Sequence, residues 1–129
     1  MSLSPQDALI YLMVIAASSD MRISGRDLHR IEGLVERLPV FAGYDVKRLP
    51  EVANTCIDLI NGEVGLEGVL DRAIGALPAR LQDTAYALVV EITALDLNLH
   101  QEELRFLEMV RDRLDLDRLI TAAIEASAR

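Results

Sequence analysis

The sequence predicts an all-α protein: one compact bundle of about seven helices, built on an internal pseudo-two-fold repeat of helix-turn-helix hairpins. Three observations predict this. Ala, Leu, Glu and Arg are abundant, aromatics amount to three Tyr and two Phe, and no segment alternates convincingly like a strand. Capping residues, prolines and glycines punctuate the chain at helix-length intervals. A hairpin-sized pattern, residues 7–38, returns as residues 83–114. At 129 residues the chain is one domain, 1–129. A domain of this size buries roughly two-thirds of its unfolded surface and needs no disulfide or metal staple.

The first helix is expected from about Pro5 to Ser18, with Ser4 as N-cap, Pro5 at the first helical position and Asp7 near the positive end of the dipole. Its apolar run, Ala8 to Ala17, predicts burial on nearly all sides. A short turn, "SDMRI", leads to a second helix capped by Ser24, with Asp27 three residues on in a capping-box-like arrangement. Leu28, Ile31, Leu34, Val35 and Leu38 form its apolar stripe, and Pro39 stops it. Residues 40–49 are irregular, with Phe41 and Tyr44 as anchors to the core. Pro50 opens a third helix that ends at Asn61, before Gly62. The fourth, Leu66 to Leu77, is weakened by Gly68 and Gly75. Pro78 opens a fifth helix to about Leu95, a sixth spans Gln101 to Leu114, and Asp115 or Asp117 caps a seventh.

Aligning Asp7–Leu38 with Asp83–Leu114 without gaps makes eight of 32 positions identical, among them Asp20/Asp96, Leu28/Leu104 and Arg37/Arg113. Each copy is an apolar helix, an Asp-containing turn and an amphipathic helix. One hairpin alone leaves its apolar helix half exposed, whereas two clasped about a pseudo-two-fold bury both. The first and fifth helices are therefore expected at the centre.

Composition narrows the function classes. The net charge of -8 disfavours nucleic acid, because no basic cluster stands apart from the acids: Arg111, Arg113 and Arg118 alternate with Asp112, Asp115 and Asp117. Cys56 is the only cysteine, which suits a reducing compartment, and no secretory signal is recognisable, so a cytoplasmic location is expected. The ten-residue apolar run is too short for a bilayer span, which takes about 20, so no direct membrane insertion is expected. Ser-His-Asp constellations, phosphate-binding glycine loops and Cys-x-x-Cys pairs are all missing from the sequence.

The turns carry the candidate site. They read "DMRISGRD" and "DLNLHQEE", an Asp-x-x-[Ile/Leu]-x-x-x-[Asp/Glu] pattern with the offsets of the second half of an EF-hand loop. The first half does not match, since its ligand positions would be Ala16 and Ser18, then Ile92 and Ala94. Two readings stay open. In one, Asp20 and Asp96 accept hydrogen bonds from backbone amides and close each turn, while Asp27 and Glu103 complete the start of the next helix. In the other, Asp20, Asp27, Asp96 and Glu103 tilt inward and hold a divalent cation: Ca, Mg, Mn or Zn. At 100° per residue, Asp27 lies within the angular range of the apolar stripe, which points it toward the hairpin partner.

Other residues carry less. Glu91, in the apolar run "ALVVEITAL", is expected to be buried and bonded to a tyrosine or a backbone group. Asp7 and Asp83 serve helix N-termini, and Glu32 and Glu108 are expected in solvent. His29 and His100 make no ligand pair. Cys56, in a stripe with Val52, Leu59 and Ile60, is a packing residue.

The segments "ALIYLMVIAASSDMRIS" and "YALVVEITALDLNL", each followed by an acidic helix start, resemble the tellurite-resistance TerB-like family over nearly the whole chain. The resemblance implies a roughly seven-helix, non-enzymatic domain with an acidic surface associated with divalent cations. It also implies a link to tellurite or other chemical-stress systems that include membrane-associated protein partners. Two departures are visible: Met21 and Leu97 stand where that family has glycine, and Asp27 stands where it has glutamate. The functional expectation is a non-enzymatic TerB-like stress protein that holds a cation through its turn acids. Its alternative is a helical protein–protein interaction module whose turn acids are purely structural.

Overall fold

Ser4 and Pro5 start the first helix as their chemistry dictates. The Ser4 hydroxyl accepts the Asp7 amide at 3.1 Å, and Pro5 occupies the first turn, where its missing N–H costs nothing. In this computed structural model, residues 3–18, 23–94, 101–114 and 123–126 are described, without the side chains of 94 and 101–105. Among the described residues every regular element is helical. They are α1 (Pro5–Ala17), α2 (Gly25–Arg37), α3 (Leu49–Asn61), α4 (Gly65–Gly75), α5 (Gln82–Ala94) and α6 (Gln101–Arg113). Residues 123–126 are also helical, within the region expected for a seventh helix.

The apolar run makes α1 the most enclosed helix described. Ala8 through Ile15 are all buried, so no face of that stretch meets water. Its principal neighbours are α2, α3, α4 and α5. Burying each large aliphatic side chain there contributes roughly 1.5–3 kcal/mol before entropy is counted. By contrast α2 is one-sided: Ile31, Leu34 and Val35 are buried, while Arg26, His29 and Glu36 are exposed.

Phe41 and Tyr44 anchor the irregular 39–48 region as expected. Phe41 is buried, and its ring meets Tyr44 edge-on at 6.2 Å between centroids. The chain reverses at Gly43, whose φ of 80° is one that a side chain would strain. Helix α3 begins at Leu49, one residue before Pro50, and buries Val52, Ala53, Cys56 and Ile60. Helix α4 starts at Gly65 rather than Leu66. Gly68 has a packing reason: a Cβ there would lie 2.8 Å from Cγ1 of Val64. The α3–α4 pair lies against α1 and covers its second side.

Pro78 precedes a single 3-10 turn, Ala79–Leu81, which runs straight into α5. The α-helix proper thus begins four residues after the proline. Helix α5 packs chiefly on α1, on that turn and on α6. Thr93, a buried polar residue, returns its hydroxyl to the Val89 and Val90 carbonyls at 3.0 Å each. Helix α6 begins and ends 76 residues after α2, and α5 falls within one residue of the same offset from α1.

Candidate functional site: the corner at Asp27

Of the four turn acids expected to act together, Asp27 is the one whose side chain is described. Asp20 and Asp96 lie outside the described residues, and the side chain of Glu103, on the first turn of α6, does too. Asp27 sits in the first turn of α2, placed there by the Ser24 cap. The Ser24 hydroxyl accepts the Asp27 amide at 3.1 Å and donates to Asp27 Oδ2 at 3.0 Å. This is a closed loop between cap and third residue, related to a capping box but made through the hydroxyl. The other oxygen, Oδ1, takes Nη1 of Arg30 at 3.2 Å.

Arg30 then crosses to the other hairpin. Its Nη2 lies 3.4 Å from the carbonyl of Ile92, in the last turn of α5. Asp27 is thus linked to α5 through Arg30, which carries the contact itself. Both carboxylate oxygens are engaged, one by a hydroxyl and one by a guanidinium. A divalent cation at Asp27 would have to displace the positive charge of Arg30 already there. Among the described residues no three His, Cys, Asp or Glu side chains converge.

Two polar clusters built on tyrosine are stronger features, and the sequence reading missed both as clusters. At the start of α1 the Tyr44 hydroxyl donates to Asp7 Oδ1 at 2.8 Å, and Arg48 reaches Asp7 Oδ2 at 3.3 Å. The Arg48 guanidinium also lies 5.5 Å from the centre of the Tyr44 ring. Asp7 thus ties the 39–48 region to α1 in addition to serving the helix terminus. Burial and the bond to Asp7 hold the Tyr44 phenol well above its ordinary range. On α5, the hydroxyl of buried Tyr86 donates to Glu125 Oε1, and Arg111 of α6 approaches the same oxygen at 3.5 Å. Burial, then the bond to Glu125, pushes the Tyr86 phenol up to about 12.

Glu91 corrects an expectation: it is exposed. Asp83 and Glu91, eight residues apart with half-buried Ala87 between them, mark the outer row of α5. The neighbouring apolar residues hid that row. Cys56 is buried as expected, with its thiol pushed up to about 12 by burial, which suits packing and not nucleophilic chemistry. His29 and Glu108 are exposed, and Glu32 is half-buried.

A surface groove of about 590 Å³ opens beside the beginnings of α1 and α5, with Pro5, Gln6, Pro39, Val40, Arg80 and Leu81 among its walls. Asp27, the one turn acid whose side chain is described, does not line it. Among the described residues no helix is long and apolar enough to cross a membrane. No family model, curated protein or solved structure matches the chain.

Proposed function

We propose that this chain is a non-enzymatic, TerB-like helical domain that works by binding a protein partner, with its turn acids serving the fold. The observation that carries the reading is the engagement of Asp27. A carboxylate held by its own cap hydroxyl and by an arginine that bridges to α5 has a structural task. The sequence resemblance supplies the setting, a tellurite or chemical-stress system with a membrane-associated partner.

The pseudo-two-fold belongs to the same proposal. It is supported by the common offset of α2 and α6, and by an aligned pair of arginines. Arg37 and Arg113 each donate to the carbonyl four residues back, Gly33 at 3.1 Å and Met109 at 3.4 Å.

The rival reading is the divalent cation held by Asp20, Asp27, Asp96 and Glu103. Isothermal titration with Ca²⁺, Mg²⁺, Mn²⁺ and Zn²⁺, paired with melting curves at millimolar metal, separates the two. The binding-module reading predicts no saturable heat and no melting shift. Stoichiometric heat that disappears in Asp27→Asn overturns it in favour of the cation.

A further inference from the structure

The groove beside the beginnings of α1 and α5 takes its walls from three separate stretches of chain: the start of α1, the turn after α2 and the turn that leads into α5. The fold sets its shape. Nε2 of Gln6 donates to the carbonyls of Val40 and Ala42, at 3.2 and 3.3 Å, and so ties the turn after α2 to α1. Pro5 and Pro39 contribute rings whose φ is locked, and with Val40 and Leu81 they make the walls mainly apolar. The charge of the groove runs against that of the molecule. The chain carries 21 acidic and 13 basic residues, yet among the described residues the one charged wall residue is Arg80. Elsewhere Arg30, Arg48, Arg111 and Arg113 each meet a carboxylate. Exposed Arg80 makes no ion pair or hydrogen bond among the described residues, even with Asp83 three residues on. The Thr84 hydroxyl, on the same wall, is equally without a partner there.

Resting on the binding-module reading above, we propose that this groove docks a segment of the partner protein that carries one carboxylate among aliphatic or proline residues. Charge complementarity sets the chemistry. The Arg80 guanidinium takes the carboxylate, and the apolar walls take the side chains that flank it. One acid is the limit, because the groove offers one guanidinium and the net charge of -8 around it repels further acids. A lysine or arginine at the same place meets the charge of Arg80 and is rejected. A chain segment suits a groove that opens along the surface, whereas a small molecule is held where most of its surface is enclosed.

The test selects from a displayed library of random heptapeptides on the full chain, then measures the enriched peptides, fluorescein-labelled, by anisotropy. The expected peptides share a single Asp or Glu among aliphatic or proline residues. Arg80→Glu should weaken their binding by roughly tenfold or more, and a lysine in place of the peptide's acid should restore it on that variant alone. The restoration shows that the variant is folded, and Val40→Asp, checked by circular dichroism, should weaken both pairings. No enrichment, or enriched peptides without an acid, overturns the proposal. Binding that Arg80→Glu and Val40→Asp leave unchanged also overturns it, while the binding-module reading stands on another surface. A dimer that Arg80→Glu dissolves, seen by sedimentation equilibrium, replaces the partner segment with a second copy of the chain. Octanoate that displaces the peptides and binds more tightly than they do replaces it with a small apolar acid. Failure of the binding-module reading itself is read separately, from the metal titration.

Discussion

Helices α1 and α5 are both rich in apolar residues and packed against one another, yet they are enclosed to different degrees. At the aligned pair Ile15 and Glu91, the first is 7% exposed and the second faces solvent. The difference lies in what covers each helix. Helices α3 and α4 lie on α1, whereas α5 turns Asp83 and Glu91 to water, with half-buried Ala87 between them. The two helices share buried positions at Leu12/Leu88 and Val14/Val90 and differ where their neighbours differ. The lesson is that the burial of a helix is set by what covers it as much as by its own apolar residues.

Exchanging the divergent pair is the severest way to break this comparison. Ile15→Glu forces a carboxylate into the core and should cost about 4 kcal/mol or more in urea unfolding. Glu91→Ile should fall within about 0.5 kcal/mol of the unaltered chain, because the position is already in water. Equal costs would mean that α1 and α5 are equally enclosed.

The tyrosine clusters sharpen it next. Each fastens a following segment to a hairpin: Tyr44 through Asp7, and Tyr86 through Glu125. Tyr44→Phe and Tyr86→Phe should each cost about 1–2 kcal/mol by chemical denaturation, the price of a charged hydrogen bond. Both phenols are raised above 10 in the folded protein. Their contribution is complete below the unfolded value of 10 and fades as pH climbs through the folded values. For Tyr86 the loss therefore falls between 10 and about 12. Each Phe variant should flatten the alkaline limb of the stability–pH curve. An unchanged limb would detach the phenols from the fold's energetics.

Smaller effects follow at helix starts and glycines. Ser24→Ala removes the cap that positions Asp27 and should cost about 1 kcal/mol in thermal or urea melts. Gly33→Ala should stabilise by about 0.5–1 kcal/mol, since a Cβ there meets nothing within 4 Å. Gly68→Ala should gain less or lose, because Val64 must move.

Much of the architecture was legible in the sequence. Helix periodicity, Ser4 and Ser24 as caps, and the ten-residue apolar run each rest on local chemistry, and all reappear in the fold. Long-range pairings were not legible. Tyr86 and Glu125 are 39 residues apart, and Arg30 reaches a carbonyl 62 residues away, so no spacing rule could pair them. Glu91 was misread for a different reason. Its run looked continuous, and only its register with Asp83 and Ala87 shows the outward row. For Asp27, the helical angle says nothing of the arginine three residues on that takes its Oδ1.

Native-state hydrogen exchange of the α1 and α5 amides tests the central claim most directly. The amides of residues 10–15 should exchange only through global unfolding, with protection equal to the full unfolding free energy, while those near Glu91 exchange faster through local opening. Protection in α5 that matched or exceeded that in α1 would contradict the account.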